Sequence, residues 1–170
     1  MKILVVQNKM GIGDMIIYLP FIDAISKKFN TPVSILAKQS SKAEQFLKDH
    51  KNIKEIIILE QSNKLKGARH QGFSGFINLV KDLRKHNFDK IFIFNSSLRF
   101  YLIAKCAGIK DIHQYSLFTK KNQHVVDTAK KFIDQNLNLI VESDPKIFIN
   151  DKSVQNIKSK FKINNDQKNI

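Results

Sequence analysis

The residues best suited to chemistry stand at the head of the chain: an aspartate behind two glycines, opening an apolar helical pattern. Gly11-Ile12-Gly13-Asp14 follows the apolar run Ile3-Leu4-Val5-Val6 and a polar stretch from Gln7 to Met10. A strand that feeds a glycine-rich turn and then a helix builds sites. Glycine lets the backbone take positive φ or approach a ligand closely, and a helix N-terminus offers unpaired N–H groups and the positive end of its dipole. Three readings of Asp14 are open. It can be the N-cap of the helix, a position that favours Asp. The turn can belong to a dinucleotide site, but Ile16 stands where a third glycine is needed, and Val33-Ser34-Ile35-Leu36 runs into Ala37-Lys38 with no acid for a ribose hydroxyl. Or Asp14 can be a carboxylate held over a sheet edge, to act as a base on a hydroxyl.

Other polar residues stand where strands should end. Lys9 lies beside the turn. Glu60 to Gly72 has neither a helical nor a strand period and carries Lys64, Lys66, Arg69 and His70. In an open α/β sheet such an insertion falls on the ligand side. Asn95-Ser96-Ser97 closes another apolar run; these residues can cap a helix or touch a sugar hydroxyl. Arg99, just beyond, can pair bidentately with carboxylate or phosphate. His124 precedes a helical pattern. No second His, Cys or carboxylate stands near His70 at metal spacing, so no metal is expected there.

Alternating strands and helices must position these residues. The periodicity predicts a helix from about Asp14 to Phe29, kinked at Pro20, whose missing N–H leaves the Ile16 carbonyl unpaired. Strands are expected at Val33 to Ala37, Ile53 to Leu59, Asp89 to Phe94 and Ile109 to Tyr115. Ser40 and Ser41 should cap a helix through Lys48. Further helices are expected from Phe73 to His86, after Ser97 until Gly108, from about Val125 to Leu137, and from about Asp151 to Phe161. This alternation predicts a Rossmann-like open parallel sheet with helices on both faces.

Composition narrows the class. The chain has 170 residues, 42% of them hydrophobic, and a formal net charge of +14. That is enough for one domain with a real core. The charge fits an anionic partner or membrane surface, although the lysines are scattered through every helix. The phenylalanines recur at core periods rather than interleaving with a basic face, so no nucleic acid is expected as partner. The lone Cys106 cannot form an internal disulfide, which suits a reducing compartment. The apolar run after Met1 is far too short for a signal peptide.

The stretch from Lys2 to Phe29 resembles the start of the ADP-heptose:lipopolysaccharide heptosyltransferases, glycosyltransferase family 9. The shared features are the apolar strand, the polar loop, Ile12-Gly13-Asp14, Leu19-Pro20 and the amphipathic Phe21-Ile22-Asp23-Ala24-Ile25. Asn87 to Phe94 with Asn95-Ser96-Ser97, and Asn122 to Asp127, agree in order and character. The resemblance covers only the N-terminal half of such an enzyme. It implies the acceptor-binding half of a GT-B glycosyltransferase, at 1–145, with an interdomain linker and helix at 146–170 and the chain truncated before a donor domain. It implies Asp14 as general base. It places Gly11, Gly13, Lys9, Lys64, Lys66, Arg69, Asn95, Ser96, Arg99 and His124 about an anionic glycolipid acceptor. A nucleotide-sugar donor would be held by the absent C-terminal domain, with no cofactor. Such a protein would work in the cytoplasm, with peripheral contact at the inner face of the membrane, and this piece alone would be inactive. The alternative class is a non-catalytic basic module binding an anionic polymer or a partner protein.

Overall fold

A computed structural model describes residues 1–9, 11–61, 67–116, 124–145 and 151–161. Five parallel strands form one sheet in the order β3-β2-β1-β4-β5. They are β1 (Ile3–Gln7), β2 (Val33–Lys38), β3 (Ile53–Leu59), β4 (Lys90–Ile93) and β5 (Asp111–Gln114). The helices are α1 (Ile12–Lys28), α2 (Ala43–Phe46), α3 (Gly72–His86), α4 (Leu98–Cys106), α5 (Val125–Leu137) and α6 (Asp151–Lys160). The expected open parallel sheet is thus present.

The apolar runs become strands because helices cover both faces of the sheet. Every residue of β1 is buried. Ile3 and Val5 point into one core with Leu19, Ile22, Ile25, Phe92 and Phe132, beneath α1 and α5. Leu4 and Val6 point into the other with Leu79, Leu83, Ile93, Phe100 and Ile103, beneath α3 and α4. One strand therefore feeds two cores through its period of two.

Local differences from the expected elements have simple causes. The second helix is cut to four residues: Lys42 takes a left-handed φ of 55° between a 3₁₀ turn at Gln39–Ser41 and α2. Ser41 Oγ accepts from Ala43 N–H at 3.4 Å while donating to the Lys38 carbonyl, so the serine organises the turn more than the helix. Pro20 lies inside α1, which runs from Ile12 to Lys28 as one helix. Asn87 and Asn138 end α3 and α5 in the left-handed region, at φ of 51° and 52°, where a short polar side chain is tolerated best after glycine. Residues 146–150, where the expected interdomain linker begins, lie outside the described residues.

Candidate functional site at the switch point of the sheet

β1 pairs with β2 on one side and β4 on the other. The chain winds outward from β1 in one direction, then crosses back to continue in the other. At such a reversal the loops after the two central strands diverge and leave a crevice, where open α/β sheets bind ligands. Here those loops carry Asn8 and Lys9 after β1, and Asn95 to Ser97 after β4. Asn95 Nδ2 donates to Asn8 Oδ1 at 3.2 Å and so bridges the crevice. The Asn95 side chain is fixed from its other end, where its Oδ1 accepts the Ser97 N–H at 2.9 Å. Gln114, closing β5, donates from Nε2 to the carbonyls of Asn95 and Ser97 at 3.0 and 2.9 Å.

Asp14 stands in the first turn of α1 at this edge, half-buried. It is not the N-cap. Gly11 holds that position, with extended φ and ψ of −108° and 160°, and Asp14 is the third helical residue. Its Oδ2 accepts the Gly11 N–H at 3.2 Å. This is one half of a capping box; glycine has no side chain to return the other half. One carboxylate oxygen is thus committed to the turn, leaving lone pairs free. The glycines also act differently from the sequence expectation. Neither Gly11 nor Gly13 has positive φ, and a Cβ on Gly13 would meet nothing within 4 Å. Gly13 leaves open space above the first turn of α1.

Beneath Asp14, one helical turn on, Tyr18 is fully buried. Its ring meets Phe94 at 5.1 Å, and Phe94 meets Tyr115 and Phe132 at 5.8 and 5.3 Å. Burial pushes both phenols above their ordinary value, and the Asp14 carboxylate adds to the rise at Tyr18. Tyr115 Oη is buried and makes no hydrogen bond. Gln7 and Gln114 each hold one unpartnered buried atom here, Nε2 and Oε1 respectively. The Gln7 orientation is fixed, because its Oε1 already accepts the Lys9 N–H at 2.8 Å. The crevice edge therefore holds a carboxylate and amide groups, a set suited to hydroxyl-bearing ligands, over buried phenol rings. Sequence reasoning missed Gln7, Asn8, Tyr18, Gln114 and Tyr115. The one available signal was a glutamine ending an apolar strand.

Of the expected cations that the structure describes, Lys9, Arg69 and Arg99, the two arginines are engaged elsewhere. Arg69 makes a bidentate pair with Asp82 of α3, at 2.9 and 2.8 Å. Arg99 donates to the carbonyls of Gly72 and His70 at 2.9 and 3.0 Å, and lies over the Phe76 ring. Both fasten the segment before α3. His70 completes that fastening: its Nδ1 accepts the Glu60 N–H and its Nε2 faces Asp82 Oδ2 at 3.2 Å. Burial alone would raise the Asp82 carboxyl, but hydrogen bonds from His70, Arg69 and Lys85 hold it down at about 2. His124 is the N-cap of α5 and accepts the Val126 N–H at 3.4 Å. Lys9 and Ser96 are exposed at the edge. Lys64 and Lys66 lie outside the described residues. Among the described residues no group of three His, Cys, Asp or Glu side chains could hold a metal.

No family model matches the chain, and no curated protein matches it. Solved structures do. A glycosyl transferase family 9 protein from Veillonella parvula aligns with 98% of this chain at 18% identity and a TM-score of 0.69. The E. coli ADP-heptose lps heptosyltransferase II aligns with 98% at 16% identity and a TM-score of 0.62. E. coli heptosyltransferase WaaC with ADP-2-deoxy-2-fluoro heptose aligns with 87% at 13% identity and a TM-score of 0.52. The chain spans about half the length of each, 51%, 52% and 51% respectively. At these identities the likeness is one of fold. The chain has the Rossmann-like fold of the N-terminal half of these glycosyltransferases.

Proposed function

We propose that this chain is the acceptor-binding half of a glycosyltransferase, with Asp14 as general base. The observation that carries the reading is the place of Asp14: half-buried, at the switch point of the sheet, with open space at Gly13 beside it. A sugar hydroxyl is a poor nucleophile until a carboxylate takes its proton as the bond to the anomeric carbon forms. Asn8, Asn95 and Gln114 supply fixed amides at the same crevice to orient that hydroxyl and its neighbours. A second domain, carrying a nucleotide-sugar, would close over the crevice and stabilise the departing diphosphate. By analogy with the similar heptosyltransferases, the sugar is a heptose or a relative and the acceptor an anionic lipopolysaccharide core. Among the described residues Lys9 is the expected cation best placed to meet that acceptor, since Arg69 and Arg99 are spent on the segment before α3.

The test is Asp14→Asn in this chain joined to a donor domain. Asparagine can still accept the Gly11 N–H, so the melting temperature should hold. A lost base should lower the transfer rate on the order of 10²–10⁴-fold. A variant that keeps both fold and rate makes Asp14 a cap only, and favours the non-catalytic binding module.

A further inference from the structure

We propose that the turn between β1 and α1 binds a phosphoryl anion, whose charge raises the basicity of Asp14. Gly11 is the N-cap of α1, and its own N–H is taken by Asp14 Oδ2 at 3.2 Å. The N–H groups of Ile12, Gly13 and Asp14 have no acceptor among the described residues. They form the positive end of a 17-residue helix. Ile12 and Gly13 are exposed. The space above Gly13 is open, since a Cβ there would meet nothing within 4 Å.

The observation that turns this helix end into a site is Gln7. It closes β1 and is 1% exposed. Its Oε1 accepts the Lys9 N–H at 2.8 Å, which fixes the amide and leaves Nε2 as the free end. Nε2 is buried and has no acceptor. Side chains alternate along a strand, so Gln7 shares with Ile3 and Val5 the face that α1 covers. The amide is thus held at the mouth of the loop with its N–H end on the α1 side. A buried donor without an acceptor lowers stability, and such exceptions call for a partner.

The chemistry of the free groups selects the partner. Gln7 Nε2, the backbone N–H groups and the exposed Lys9 are all donors, so the ligand atom is an acceptor and an anion suits it best. A phosphoryl group offers oxygens in several directions at once, where a carboxylate offers two in one plane. No acid closes β2 at Ala37-Lys38 to hold a ribose, so the turn takes the phosphoryl group and not a whole dinucleotide. That group belongs either to a phosphorylated acceptor or to the diphosphate of a sugar donor. Once it is seated, Asp14 has a second negative charge beside its own helical turn. A like charge disfavours the ionised form, so the carboxylate takes a proton more readily with ligand in place. This last step rests on the general-base reading of Asp14; the anion site does not.

The 170-residue chain itself is the material for the test. In amide NMR spectra, inorganic phosphate added at constant ionic strength should shift the Ile12 and Gly13 signals to saturation. Gln7→Met should keep its fold, losing only the bond from Lys9, and bind phosphate roughly tenfold more weakly. Asp14→Asn still accepts the Gly11 N–H and should bind phosphate roughly threefold more tightly or better, because a like charge is gone. ADP that binds more tightly than glucose 6-phosphate assigns the group to a sugar donor; the reverse order assigns it to an acceptor. Shifts spread over the lysine-bearing surface, or affinities unchanged in both variants, mean an adventitious ion only and overturn the proposal. An Asp14→Asn chain that gains phosphate affinity yet transfers as fast as the parent, once joined to a donor domain, keeps the anion site and removes the base. Lost transfer with unchanged phosphate affinity does the reverse.

Discussion

At the scale of single residues, position in the first turn of α1 decides more than residue type. Asp14 caps Gly11 through one oxygen, and Gly13 beside it touches nothing that a methyl would disturb. Gly13→Ala should therefore fold, and gain up to about 1 kcal/mol from helix propensity. If an acceptor lies against this turn, the same methyl should raise the KM for it. A stability gain with unchanged KM, read by thermal melts and acceptor titration of the joined enzyme, would remove Gly13 from the site. Asp82 gives a second residue-scale expectation. Its folded pKa, about 2, lies below the ordinary 3.8, so on acidification the unfolded chain takes up the proton first. The stabilisation is complete above 3.8 and is lost as pH falls through that value towards 2. Asp82→Asn should cost about 1–3 kcal/mol at neutral pH. Denaturant melts of parent and variant should converge as the pH approaches about 2.

At the scale of elements, the joint before α3 shows how a segment without period is held. Glu60 and His70 face each other through two hydrogen bonds, Glu60 N–H to His70 Nδ1 at 3.1 Å and His70 N–H to the Glu60 carbonyl at 3.0 Å. They close the base of the intervening loop. α3 then passes so near that a Cβ on Gly75 would stand 2.1 Å from the His70 carbonyl carbon. The obstacle is backbone, which cannot rotate away. Gly75→Ala should force the helix outward, cost about 1–3 kcal/mol, and increase proteolysis between residues 60 and 72. Equal melting and protease resistance in the variant would show that the approach is looser than this geometry. Arg99 belongs to the same joint, so its replacement should act on stability as much as on any acceptor.

At the scale of the whole molecule, the chain spans half the length of the structures it matches. A glycosyltransferase needs one site for the acceptor and another for the diphosphate leaving group. Among the described residues the former has a candidate, and the latter no more than one phosphoryl contact. The 170-residue chain should fold cooperatively and transfer no sugar from ADP-heptose to a lipopolysaccharide core acceptor. Product formation by the purified chain, followed by mass spectrometry, would sink the half-enzyme reading.

The sequence by itself settled the order and kind of the elements. β3 falls at Ile53–Leu59 and α5 at Val125–Leu137, as their patterns predict, because burial on one face or two leaves a period of two, four or none in the chain. It also marked Asp14, since a glycine turn between strand and helix is a local signal. The roles around it were decided only by tertiary structure. Whether Asp14 or Gly11 is the cap depends on backbone angles at Gly11. Whether Arg69 and Arg99 are free depends on Asp82 and on carbonyls of Gly72 and His70. Asn8 and Asn95, 87 residues apart, meet because β1 and β4 are neighbours in the sheet. A cation in sequence carries a charge but no partner; the partner is set by strand order, which no single stretch of the chain encodes.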